Sequence, residues 1–104
     1  MMQNEHNLPN KAIALLEVQA FTAAVTGLDA MLKAADVRLI HVERRLGGRL
    51  VTVVVDGTVS AVEAAAEAGK KAAAEVGVVK LCEVIPRPHP EIAKFLYTDD
   101  LDSK

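Results

Sequence analysis

At 104 residues the chain has the length of one domain, with 12 basic against 14 acidic side chains and 51% hydrophobic but only 3% aromatic residues. A net charge of −2 with no basic block excludes a dedicated nucleic-acid binder, and the shortage of rings removes the stacking platforms that single-stranded bases need. The lone Cys82 excludes an intrachain disulfide framework and suits a reducing cytoplasm; no apolar run reaches the ~18 residues of a membrane span, and MMQNEHNLPN lacks the features of a secretory signal.

Residues 1–10 are polar and read as a flexible N-terminal extension, 98–104 as a flexible acidic tail, and 11–97 as the folded domain. AIALLEV (12–18) reads as a strand. From Phe21 the period changes: Phe21, Ala24, Val25, Leu28, Met31, Leu32 and Ala35 fall on one side of a helix, with Thr22, Thr26, Asp29 and Lys33 on the other. VRLIHV (37–42) and LVTVVV (50–55) are a second and a third strand, joined as a hairpin by the basic, glycine-containing ERRLGGR.

Asp56-Gly57 closes the third strand, and Thr58 or Ser60 caps the next helix, the latter with Glu63 at capping-box spacing. That helix, over 58–76, carries Val59, Val62, Ala66, Gly69, Ala73 and Val76 down one narrow stripe. VVKLCEVI (78–85) is a fourth strand; prolines then stop it, and a short helix follows near 90–97.

This order predicts an α+β, ferredoxin-like βαββαβ fold with an additional short C-terminal helix, its antiparallel sheet bearing two helices on one face. Two helices cover only one face, yet the strands are apolar on both, which implies burial against another element or chain and so an oligomer.

Little in the chain suggests catalysis. His6, His41 and His89 show no i,i+4 pairing and no carboxylate at ligand spacing, so neither a metal nor a cofactor is expected. Cys82, inside an apolar strand, reads as a small core residue, and no serine or cysteine has a convincing base, so the protein is not expected to be an enzyme. LGGR leads into a strand rather than a helix and offers no helix N-terminus to an anion; from the residues alone it is a hairpin turn with solvated arginines or a weak phosphate cradle. Asp29 and Lys33 are spaced for an i,i+4 pair.

Taken together, ALLEV, GLDAMLKAADVRLI, GRLVTVVVDGTVSAVEAAAEAG and VIPRPH resemble, in order and spacing across residues 12–96, the bacterial microcompartment shell proteins of the single-domain, hexamer-forming type. The resemblance implies a cytoplasmic homohexamer, a flat tile packing edge to edge with other shell proteins around encapsulated enzymes, with a pore for metabolites on its six-fold axis. It also implies that the turn between the second and third strands lines the pore, through Arg45 (or Arg44), Leu46, Gly47, Gly48 and Arg49, with Gly48 innermost. Glu43 to Leu50 is one residue longer than the usual loop, and Arg49 stands where glycine is common. Arg49 either points into the pore or folds away onto an acid such as Glu43; a ring of lumen-facing arginines would favour anions and uncharged polar metabolites over cations.

At the rim, the resemblance assigns Lys33 and Arg87 to the seam between hexamers, a role suited to a long Lys stem and a forked guanidinium. A reading of another class stays open: a ferredoxin-like regulatory or small-ligand-binding oligomer, which would close instead of tiling.

Overall fold

The computed structural model describes residues 11–97, the side chain of Ala93 excepted. The extension and tail expected at 1–10 and 98–104, with His6, lie outside the described residues. The elements are β1 (Ala12–Gln19), α1 (Phe21–Ala34), β2 (Arg38–Arg45), β3 (Leu50–Gly57), α2 (Val59–Ala74), β4 (Val78–Ile85) and α3 (Pro90–Leu96). All strand pairings are antiparallel and the sheet order is β2-β3-β1-β4, the ferredoxin-like arrangement expected.

The two long helices form for different reasons. α2 is capped: Thr58, not Ser60, accepts the Ala61 N–H on its hydroxyl oxygen at 3.1 Å. α1 has no side-chain cap at Ala20 and no acid in its first turn, so packing holds it. Both lie on one face of the sheet, over Ala14, Leu16 and Val18 of β1 and Val51, Val53 and Val55 of β3.

The helices cross where glycine faces glycine. A Cβ on Gly27 would stand 2.7 Å from Leu16 Cδ2, and one on Gly69 only 2.5 Å from Met31 Cγ. This close approach turns α1 toward α2, so its buried residues are Ala23, Ala24, Gly27 and Met31. Phe21, Val25 and Leu32, expected on the core side, are instead 50%, 49% and 45% exposed. Val59 and Val76, expected in the stripe of α2, are also exposed because they sit at the ends of the crossing.

On the second face of the sheet, part of the cover expected from another element or chain comes from an element of the chain itself. α3 folds back across it, burying Leu96 against Ile13 and Val54. A polar clamp beside this cluster fixes the end of α3. Asp56 is 1% exposed; it accepts Arg38 Nη2–H on Oδ2 at 3.0 Å and Nε–H on Oδ1 at 3.4 Å, and the Tyr97 hydroxyl donates to the same Oδ2. The carboxylate is thereby satisfied, as a fully buried charge must be.

The clamp has a pH signature. Burial, then the hydrogen bond to Asp56 and the charge of that carboxylate, push the Tyr97 phenol well above its ordinary value. A phenol whose folded pKa is raised contributes stability that is complete below the unfolded value, near 10, and is lost as the pH climbs through the folded one. Because Tyr97 is the only tyrosine in the chain, its phenolate absorbance reads the clamp directly. Native protein is expected to titrate later than unfolded protein, and coincident curves would show that the clamp is not formed.

Candidate functional site

The β2–β3 turn is shorter and more constrained than its sequence suggests. β2 does not end at residue 42 but runs on to Arg45, which pairs with Leu50. Only Leu46 to Arg49 are left to reverse the chain. Leu46 (φ 56), Gly47 (φ 68) and Gly48 (φ 87) are all left-handed, a region that glycine enters freely and leucine at a cost of about 1–2 kcal/mol. Within one chain a Cβ on either glycine would meet nothing within 4 Å, so it is the backbone angle, not crowding, that calls for them.

Arg49 closes the turn. Its backbone N–H and its Nε–H both donate to the Leu46 carbonyl, at 3.3 and 3.0 Å, which folds the guanidinium back over the loop. It does not reach Glu43. That carboxylate accepts instead from His41 Nε2 at 3.1 Å, a same-face contact two residues along the strand. Arg45 leans onto the second face of the sheet, Nη2 to Glu17 Oε2 at 3.8 Å. Leu46 is 64% exposed at the tip.

The register separates the expected site residues into two groups. Val18, Val51 and the turn share one end of the sheet, while Ala12, Gly57 and Ile85 share the other. α1 leaves from the turn end and returns, so Lys33 in its last turn stands at the far end, where Arg87 follows Ile85. Eight residues of strand, roughly 26 Å, lie between the two groups. In the single chain Lys33 pairs with Asp29, Nζ to Oδ2 at 3.0 Å, and both side chains stay well exposed.

Among the described residues no three His, Cys, Asp or Glu side chains come together to hold a metal ion, and no helix is long and apolar enough to cross a membrane. Cys82 is half-buried and its Sγ–H donates to the Ala66 carbonyl at 3.6 Å; burial pushes the thiol up, which disfavours the thiolate that a nucleophile needs. His89 Nδ1 accepts the Glu91 N–H at 3.1 Å and so supports the start of α3. His41 is 8% exposed beside Phe95, ring centroids 6.3 Å apart, with its Nδ1 unpartnered.

Two contacts escape a reading of the sequence. The strand period of two is the signal for His41 and Glu43, which a search at helical spacing passes over. The Asp56 clamp joins residues 18 and 41 positions apart and leaves no local signal.

With the turn at one end of the sheet and Lys33 and Arg87 at the other, the chain belongs to the BMC domain family, whose model matches residues 12–88. It is 46% identical over 89 residues to the bacterial microcompartment shell protein PduA of Citrobacter freundii, covering 86% of this chain and 95% of that protein. It is 40% identical over 82 residues to the bacterial microcompartment shell protein EutM of Salmonella typhimurium, covering 79% and 84%. The crystal structure of a microcompartments protein from Desulfitobacterium hafniense DCB is similar with a TM-score of 0.73 at 32% identity, over 84% of this chain; the chain spans about half, 47%, of that one.

Proposed function

We propose that residues 11–97 form a structural tile of a bacterial microcompartment shell, a cyclic homohexamer that packs edge to edge with other shell proteins in the cytoplasm, encloses enzymes and is not itself one. The observation that carries this reading is the separation of the turn from Lys33 and Arg87 at opposite ends of the sheet. A ring with the turns at its axis puts the two cations at its rim. Family membership and the shell proteins PduA and EutM as relatives support the same reading.

Arg45, Leu46, Gly47, Gly48 and Arg49 then surround the central pore. Arg45 is drawn aside by Glu17, whereas Arg49 stays on the loop through the Leu46 carbonyl. Arg49 is therefore the charge that a passing solute meets, repeated in every subunit, and the ring favours anions and uncharged polar metabolites over cations. Arg49→Glu is expected to lower permeation of anionic solutes relative to neutral ones through assembled shells. Equal permeation by wild type and variant would remove Arg49 from the pore.

The rim is tested separately. Lys33→Asp turns an exposed i,i+4 pair with Asp29 into a like-charged one in the last turn of α1, a cost of about 1 kcal/mol, so the fold and the hexamer are expected to survive it. Extended sheets seen by electron microscopy should vanish. Loss of the hexamer itself would mean that Lys33 lies between subunits of one ring rather than between rings.

A further inference from the structure

The charge presented at the turn depends on a residue outside it. Glu17 of β1 stands opposite Thr52 of β3, and Thr52 opposite Glu43 of β2, so the three form one row across the second face of the sheet. Arg45 shares this face and lies two residues nearer the turn, at the level of Leu50. Its side chain crosses β3, over two strand spacings or roughly 9.5 Å, to bring Nη2 within 3.8 Å of Glu17 Oε2.

Glu43 is the nearer carboxylate along the chain, but one of its oxygens is taken by His41. Burial separates the two acids further. The Glu17 side chain is 20% exposed and the Glu43 side chain 49%, so Glu17 is the less screened anchor for a guanidinium. Arg45 is thereby drawn back along the sheet, which in a ring centred on the turn is outward from the axis. Arg49 differs, because its anchor is the Leu46 carbonyl on the loop itself. Arg44, opposite Val51, belongs to the other face of the sheet.

We propose that Glu17 is a positioning residue for the pore: by withdrawing Arg45 it limits the positive charge of the lumen to the Arg49 ring, so that uncharged polar metabolites pass alongside anions. A second ring of arginines would concentrate anions in the lumen, and a solute held there obstructs the others. The inference rests on the tile reading and goes further by naming a residue that sets the strength of the pore's selectivity from outside the turn.

The test compares permeation of glycolate with that of ethylene glycol, an anion and a neutral solute of similar size, through assembled shells, after native mass spectrometry of each variant. Glu17→Gln removes the charge and keeps the shape. It is expected to raise the glycolate-to-ethylene-glycol ratio about two- to five-fold, the shift in an equilibrium that one exposed ion pair carries. Arg45→Gln alone is expected to leave the ratio near the wild-type value, and Glu17→Gln/Arg45→Gln to return it there, a non-additivity that a merely structural role for Glu17 would not produce. Glu17→Gln/Glu43→Gln is a further variant, since Glu43 shares this face and is the other carboxylate to which a freed Arg45 could turn. An unchanged ratio in both Glu17→Gln and Glu17→Gln/Glu43→Gln would overturn the proposal and leave the tile standing. So would an equal rise with Arg45→Gln present, which would assign the effect to the charge of Glu17 itself, or a fall in Arg45→Gln alone, which would place Arg45 in the lumen already. Absence of hexamers in wild type would instead remove the ring on which the proposal rests.

Discussion

Gly77→Ala is expected to destabilise the folded chain by about 3 kcal/mol or more, the upper end for overpacking, and so to lower the melting temperature by about 12 °C or more. Gly77 lies between α2 and β4, where the chain passes close under the start of α1. Its Cβ would overlap the Gln19 carbonyl oxygen and stand 2.7 Å from Ala23 Cβ. A carbonyl oxygen cannot rotate away as a side-chain tip can. Gln19 also pairs with Val78, so relief requires pulling the first residues of β4 off the sheet and disturbing the Gly77 N–H bond to the Ala73 carbonyl, 2.9 Å. Gly47→Ala is the matched control. Its Cβ meets open space, and the left-handed backbone alone costs about 1–2 kcal/mol. Circular dichroism melts at one protein concentration compare the two, since assembly makes the midpoint depend on concentration. Equal losses would show that Gly77 is not tightly packed.

Arg38→Leu is the second large effect. The Asp56 side chain is wholly buried while the Arg38 side chain is 40% exposed, so the partners are not equivalent. Removing Asp56 leaves a guanidinium that can reach water. Removing Arg38 leaves a buried carboxylate with the Tyr97 hydroxyl, and breaking a buried pair from that side costs about 3–5 kcal/mol. The double variant Arg38→Leu/Asp56→Val removes the stranded charge and is expected to recover most of the loss. A double-mutant cycle by denaturant unfolding measures this coupling. Additive losses would show that Asp56 draws its stability from elsewhere.

How far the fold was legible in the chain follows from which signals are local. Short runs rich in β-branched and apolar residues, LVTVVV and VVKLCEVI, mark β3 and β4, and the prolines after Ile85 mark the end of β4. Strand order follows from the succession of elements, because short connections leave the ferredoxin-like arrangement few rivals. The face of α1 was not legible. Helical periodicity identified an apolar side, but the Gly27–Gly69 contact decided which part of it met the core, and Phe21, Val25 and Leu32 were turned out to solvent. β2 was read short for a similar reason: Glu43, Arg44 and Arg45 are polar, and they join the sheet because Leu50, Val51 and Thr52 lie opposite.

For the site, the glycines and arginines of the turn were visible, but not the way they are held. Arg49 has two destinations open to it in the sequence, a pore or an acid such as Glu43; within the single chain its Nε–H donates to the Leu46 carbonyl, a backbone partner that the sequence does not mark. Lys33 and Arg87 are far apart in sequence, and only the register of β1 with β4 and the return of α1 put them at the same end. The Asp56 clamp was invisible, since an acid followed by glycine after a valine run reads first as the end of a strand.

We propose above that the chain assembles about its β2–β3 turn into a flat tile. Native mass spectrometry of the purified protein, followed by electron microscopy of the same sample at low salt, tests it most directly. Six subunits and extended hexagonal arrays are expected; a monomer, or a closed dimer or trimer without arrays, would contradict the tile and favour a regulatory oligomer of the same fold.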